Sequence, residues 1–166
     1  MFDFNGSGWF PYQGVTTSQN PNVEYYFEEF LKEIKPSRVI EIGTFCGGLT
    51  LMLRHVLDRL NSGAVIYTYD PEKTPDIFKN GDIEGIVFST KNMFNYPYND
   101  LDDFSITELI KQDGITLVLC DGGSKKNEFK ILAPYLKSGD IIMAHDYAPD
   151  RGYFEENMKD KIWNWF

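Results

Sequence analysis

The chain has 166 residues, 42% of them hydrophobic, enough to bury one substantial core and about the size of one domain. A formal charge of −9 leaves no general excess of Lys and Arg for a nucleic-acid backbone, and no dense basic run or zinc-finger spacing supplies a local exception. The first residues lack a basic segment followed by an apolar stretch and no run of roughly 18 apolar residues could span a bilayer, so the expectation is a cytoplasmic protein with a small-molecule or protein partner, no nucleic acid and no membrane.

Residues 1–22 carry Gly, Pro, Asn and aromatics without a sustained period and are expected to form an N-terminal structured loop or lid. Asn22 is placed to cap a helix over "VEYYFEEFLKEI", where Val23, Tyr26, Phe27, Phe30 and Ile34 recur at helical spacing and Pro36 stops the run. "RVIEIG" reads as a first strand, followed by a glycine-bearing turn and a helix over "LTLMLRHVLDRLN". "AVIYTYD" and "GIVFST" give a second and a third strand, separated by turn formers. Residues 104–113 support a short helix, and "ITLVLCDGG" is a fourth strand running straight into a turn. A helix over "KNEFKILAPYLK", tightened or kinked at Pro134, leads to a fifth strand, "IIMAHDY". The tail reads as helical to about Lys161 and then aromatic. Cys46 and Cys120 show no CxxC spacing, so reduced thiols are expected rather than a disulfide or a zinc site.

Alternation of short β-branched strands with helices implies right-handed crossovers and an α/β fold, a mostly parallel sheet covered by helices on both faces. Such sheets bind ligands beyond the carboxyl ends of their strands. The polar residues at those ends are Glu41 with Gly43, Asp70, Asn92, Asp121 with Gly122 and Gly123, and His145 with Asp146.

The turn after the first strand reads Gly43-Thr44-Phe45-Cys46-Gly47-Gly48. It lacks the second glycine of G-x-G-x-x-G, which brings backbone close to a pyrophosphate, and the chain has no P-loop pattern. Glu41 can attract a cationic amino group and would repel a phosphate brought equally close. Asp70 is suited to accept both hydroxyls of a ribose. Together these describe a nucleoside with a cationic, amino-acid-like end, and S-adenosylmethionine satisfies that description.

In order, "VIEIGTFCGGLT", "YTYDPE", "VLCDGG" and "GDIIMAHDY" resemble a class I S-adenosylmethionine-dependent methyltransferase, in particular the small-molecule O-methyltransferases related to the cephalosporin-hydroxylase and macrolide-sugar methyltransferase groups. The likeness covers roughly residues 10–148. It implies a Rossmann-like domain over residues 23–166 that lacks the last two strands of the usual seven, as a truncated chain or a compact variant. It implies backbone contacts from Gly43 and Thr44 to the cofactor's methionine part, close approach at Gly47, support from Glu41, ribose binding by Asp70, and an adenine border at Asn92 and Met93. Gln13, in "YQG", resembles an element that closes over the cofactor, and Asp121 also borders the site.

Methyl transfer from a sulfonium needs an in-line nucleophile, and a poorly ionised hydroxyl needs a base or a metal besides. Asp121 and Asp146 could jointly hold Mg²⁺, whose preferred ligands are oxygens. Related metal-dependent members carry an acidic pair after the fifth strand, and His145-Asp146 departs at its first member. His145 could instead be a general base tuned by Asp146 or Asp121, so His145 and Asp121 are the candidate catalytic residues and Asp121 and Asp146 the candidate metal ligands. Trp9, Phe10 and Tyr12 would wall an acceptor pocket or pack against another subunit in a homo-oligomer. Lys125 and Lys126 are either a solvated helix start or an attraction for an acidic substrate, and Tyr147 and Asp150 are placed for substrate contacts. Two functions follow: methyl transfer to a hydroxyl of a small molecule, or a noncatalytic nucleoside-binding or interaction protein derived from that fold.

Overall fold

The computed structural model describes residues 10–17, 19, 22–72, 75–79, 81–95, 97, 99–144, 152 and 155–156. Trp9, His145, Asp146, Tyr147, Asp150 and most of the tail lie outside the described residues. The elements in order are strands β1 (Phe10–Tyr12) and β2 (Val15–Thr17), helix α1 (Val23–Ile34), β3 (Arg38–Ile42), α2 (Gly48–Arg59), β4 (Val65–Tyr69), β5 (Ile86–Ser89), α3 (Ser105–Lys111), β6 (Thr116–Cys120), α4 (Lys125–Leu132) and β7 (Ile141–Ala144). A 3-10 turn over Ala133–Tyr135 accounts for the tightening expected at Pro134.

Among the described residues β3 to β7 form a five-stranded sheet in the order β5-β4-β3-β6-β7, and every pairing is parallel. The chain walks outward from β3 to β5, then returns to the other side of β3 with β6, so the order reverses between β3 and β6. The register aligns the strand ends: Ile42 faces Tyr69 on one side and Cys120 on the other. Gly43, Asp70 and Asp121 therefore leave the sheet at one level.

Strand pleating sends alternate residues to opposite layers. Val39 packs with Leu31 of α1 and Met52, Leu53 and Val56 of α2. Ile40 and Ile42 pack on the other face with Ile106 and Ile110 of α3 and Leu132 after the β6–α4 turn. Each fully buried side chain of this size stabilises the fold by about 1.5 to 3 kcal/mol relative to exposure, and the two layers fix which strand ends converge. No helix among the described residues is long and apolar enough to cross a membrane.

The N-terminal segment is more regular than a loop. β1 and β2 form an antiparallel hairpin with Tyr12 paired to Val15, and Gln13 (φ 48°) and Gly14 (φ 85°) supply the left-handed pair that a two-residue hairpin turn requires. Tyr12 is buried in the core with α1 and α2, its hydroxyl donating to Glu24 at 3.1 Å and lying 3.2 Å from His55 Nδ1. Arg59 pairs with Glu24 at 2.9 Å and Glu28 at 2.7 Å beside it. Asn22 precedes α1 in helical backbone conformation and makes no side-chain cap hydrogen bond, contrary to the capping role expected of it.

Candidate active site

The ends of β3, β4 and β6 and the segment after β5 open into one cavity of about 370 Å³, within the range of small-ligand sites. It lies over the reversal between β3 and β6, where open α/β sheets bind ligands. Gly43, Thr44 and Phe45 form its floor, Asp70 and Glu72 one wall, Asn92 and Met93 the next, and Asp121, Lys125 and Glu128 the far side. Of the expected cofactor-binding residues, the fold brings Gly43, Thr44, Asp70, Asn92, Met93 and Asp121 onto this surface.

The floor is dictated locally. Gly43 has φ 92°, and a Cβ there would stand 2.4 Å from the Asp121 carbonyl oxygen, so only glycine lets β3 turn while touching β6. Phe45, where a dinucleotide turn has its second glycine, is also left-handed (φ 54°); its N–H donates to Asp70 Oδ2 at 2.8 Å. A non-glycine residue in that conformation is uncommon.

Glu41 supports this floor from beneath. It is completely buried, Thr50 donates to its Oε2 at 2.6 Å and Thr68 at 2.5 Å, and Oε1 has no hydrogen-bond partner among the described residues. Burial pushes its carboxyl up to about 7, the two threonine hydrogen bonds oppose that, and Asp121 and Asp70 add to it. Thr44, buried above, shares a 2.6 Å hydrogen bond with Thr68, which ties the floor to Glu41. Glu41 is therefore in a layer under the cavity and not among the residues lining it.

Two more of the expected residues lie off this surface. Gln13 is exposed at the hairpin tip and does not line the cavity; Thr16, Thr17 and Gln19 stand there instead. A Cβ on Gly47 would meet Ile77 at 2.4 Å, so its small size accommodates that side chain, and Gly48 beside it lines the cavity. Tyr12 packs on α1 and α2 of its own chain and is not among the residues lining the cavity. Asp70 Oδ1 accepts from Glu72 N–H at 3.1 Å, so both oxygens are oriented by backbone while the side chain remains partly open. Asn92 Oδ1 accepts from Phe94 N–H at 3.3 Å, and Met93 is buried with Phe94.

Glu128 is a cavity residue that sequence reasoning missed. Although 1% exposed, it borders the cavity and accepts from Gly122 N–H at 3.2 Å and Ser124 N–H at 2.9 Å, clamping the turn that presents Asp121. Burial raises its carboxyl above the ordinary range despite those hydrogen bonds. The available signal was an N-terminal serine with a glutamate four residues on, one longer than the usual capping box. Lys125 Nζ lies 3.4 Å from Asp121 Oδ1 and donates to Gly122 O at 3.1 Å. Burial pushes the Tyr69 hydroxyl up to about 12, so it stays protonated. Cys46 and Cys120 are free thiols, and burial raises that of Cys120.

The lining fits a nucleoside with an amino-acid tail: the Gly43–Thr44 backbone forms the floor, an oriented carboxylate follows β4, and Met93 lies beside Asn92 on the next wall. For a metal the fit is incomplete. Asp121 supplies an oxygen donor, Asp146 lies outside the described residues, and among the described residues no group of three His, Cys, Asp or Glu side chains gathers to hold an ion.

A family model described as a methyltransferase domain matches residues 40–147, from the middle of β3 past β7. No curated protein matches the chain significantly. Among solved structures, the chain is similar to the CmcI-N160 apo-structure, with TM-score 0.68, 15% identity and coverage of 89% of this chain and 60% of that one. It is also similar to cmcI-D160 Mg-SAM, with TM-score 0.63, 16% identity and coverage of 90% and 62%, and to cmcI-N160 SAH, with TM-score 0.64, 14% identity and coverage of 90% and 66%. At these identities the likeness is one of fold, and the chain spans 60 to 66% of the length of those structures. With its parallel Rossmann-like sheet and a family match over more than half its length, the chain belongs to the methyltransferase-domain family.

Proposed function

We propose that the cavity binds S-adenosylmethionine and that the protein transfers its methyl group to a hydroxyl of a small molecule. The observation that carries this reading is the convergence of Gly43, Asp70, Met93 and Asp121 on one cavity with an unmatched buried carboxylate oxygen, Glu41 Oε1, beneath its floor. Support also comes from the family match and from the fold shared with the Mg-SAM and SAH structures. The cofactor, when bound, supplies an electrophilic sulfonium methyl.

The chain's residues bind and orient. Asp70 accepts ribose hydroxyls, its carboxylate held by the Phe45 and Glu72 N–H groups. Backbone at Gly43 and Thr44 receives the methionine part, and Met93 packs against the base with Asn92 beside it. The acceptor enters from the β6 and β7 ends, and Asp121, or His145 next in sequence after β7, takes its proton. Asp121 is set in place by the turn that Glu128 clamps. No step here passes through a metal; Asp121 with Asp146 would be the ligands, and an assay with and without Mg²⁺ tests that set.

Calorimetry with S-adenosylmethionine and S-adenosylhomocysteine tests the binding, and methyl transfer to a panel of sugars and phenols tests the chemistry. Saturable uptake and a methyl ether product are expected. Absence of uptake of either nucleoside overturns the reading, and uptake without product across the panel leaves a nucleoside-binding protein.

A further inference from the structure

A second cavity among the described residues, of about 430 Å³, lies between the loop after β5 and one side of α4, and it shares no lining residue with the first. Asn127, Lys130, Ile131 and Pro134 line it at the i, i+3, i+4, i+7 spacing of a single helix face, the last on the 3-10 turn that prolongs α4. Asn99 and Asp100 stand on the loop opposite.

The polar groups are set before any ligand arrives. Asn95 Oδ1 accepts from the N–H groups of Asn99 at 3.3 Å and Asp100 at 3.1 Å, and Asn95 N–H donates to the Asp100 carbonyl at 3.1 Å. A bridge between buried Phe94 and Leu101 closes the base of the loop. Its backbone is thus engaged internally, while the Asn99 and Asp100 side chains are exposed. Asp100 Oδ1 accepts from Leu101 N–H at 2.8 Å, which leaves Oδ2 as its other acceptor. Asn127 Nδ2 donates to Ser124 Oγ at 3.0 Å, which fixes the amide orientation and leaves Oδ1 to accept.

The lining therefore combines two amides, a carboxylate and an ammonium with apolar surface from Pro97, Ile131, Pro134 and the Tyr135 ring. An anion would meet Asp100, a cation would meet Lys130, and an alkyl chain would cover both amides without matching them. A neutral ring with hydroxyls at its rim satisfies the whole set, because each hydroxyl both donates and accepts and the C–H faces of the ring lie against aromatic and proline surface. We propose that this cavity binds a neutral pyranose sugar, free or as a glycoside. Asn99, Asp100 and Asn127 hold its hydroxyls, Lys130 donates to one of its oxygens, and Tyr135 and Pro134 cover one face.

Backbone amide shifts of the isotope-labelled full chain test this during titration with glucose, galactose, mannose, N-acetylglucosamine and their methyl α-glycosides. At least one sugar is expected to give saturable shifts at residues 97–100 and 127–135, with a Kd of about 1 to 10 mM. Glycerol, which has hydroxyls and no ring face, should shift none of them. Asn99→Ala and Lys130→Met should each weaken that sugar by about three- to tenfold, the loss of one hydrogen bond, with the melting temperature unchanged because both side chains are exposed. A methyl glycoside that binds as tightly as its free sugar supports a glycosylated ligand, and preference for the free sugar supports a monosaccharide. No saturable shift with any sugar, an equal response to glycerol, shifts centred on Gly43 and Asp70 instead, or wild-type affinity in both variants overturns the proposal. None of these outcomes depends on methyl transfer or on nucleoside binding.

Discussion

At Glu41, complete burial works against two short threonine hydrogen bonds, and burial wins: the carboxyl rises from 4.5 to about 7. A folded-state value above the unfolded one means that the native protein holds the extra proton between them. The associated stability is fully present below about pH 4.5 and is lost as pH rises through about 7, a change on the order of 3 kcal/mol. Glu41→Gln keeps the shape and removes the titration. Unfolding by urea at pH 5 and pH 8 should show the variant gaining on wild type as pH rises; parallel behaviour would remove Glu41 as the cause. At Asp70 the balance differs, because the side chain is partly open and its N–H partners lie in an exposed turn. Asp70→Ala should therefore weaken S-adenosylhomocysteine binding by about 1.5 to 3 kcal/mol with little change in melting temperature. Unchanged affinity in calorimetry would exclude Asp70 from the site. Both acids were legible as carboxylates closing apolar runs. Thr17 and Glu128 were not: one sits in a polar stretch without a period, the other on an amphipathic helix, and only the tertiary fold turns either toward the cavity.

The same contrast holds for whole elements. Helices α1 and α2 and the five sheet strands stand close to where apolar periodicity put them, because a period of 3.6 or a β-branched run needs only about one face's worth of residues to declare itself. The hairpin escaped notice because each of its strands has three residues, too few for alternation to show, and the Gln13-Gly14 turn was its remaining signal. Its packing makes a prediction. Alanine at Gly48 would gain up to about 1 kcal/mol of helix propensity, but its Cβ would press on the Thr16 carbonyl oxygen at 2.4 Å, and overpacking costs about 1 to 3 kcal/mol. The steric term prevails, since the obstacle is backbone. Gly48→Ala should lower both the melting temperature and S-adenosylhomocysteine affinity, whereas a rise in melting temperature would show that the hairpin does not rest on α2.

Across the molecule, the reversal of strand order between β3 and β6 holds sheet and site together. Alternating strands and helices announced a parallel sheet, but the order β5-β4-β3-β6-β7 was not legible, because sequence alone does not say on which side of β3 the chain returns. Gly43 is where the turn after β3 abuts the end of β6. Gly43→Ala adds left-handed backbone strain to a 2.4 Å clash with the Asp121 carbonyl oxygen, and no side chain can move to relieve it. A loss of roughly 2 to 4 kcal/mol is expected, read as a lower urea midpoint with an unchanged slope; a midpoint equal to wild type would show that β3 and β6 separate freely there. The ion pairs joining α2 to α1, one of whose carboxylates also accepts from the Tyr12 hydroxyl of the hairpin, have a different reach. Arg59, Glu24 and Glu28 are 44%, 32% and 38% exposed, so dissolved electrolyte screens them, over about 10 Å at 0.1 M and 3 Å at 1 M. Ionic strength thereby acts on the seam where α1, α2 and the hairpin meet, and brine that leaves the buried core untouched should still loosen it.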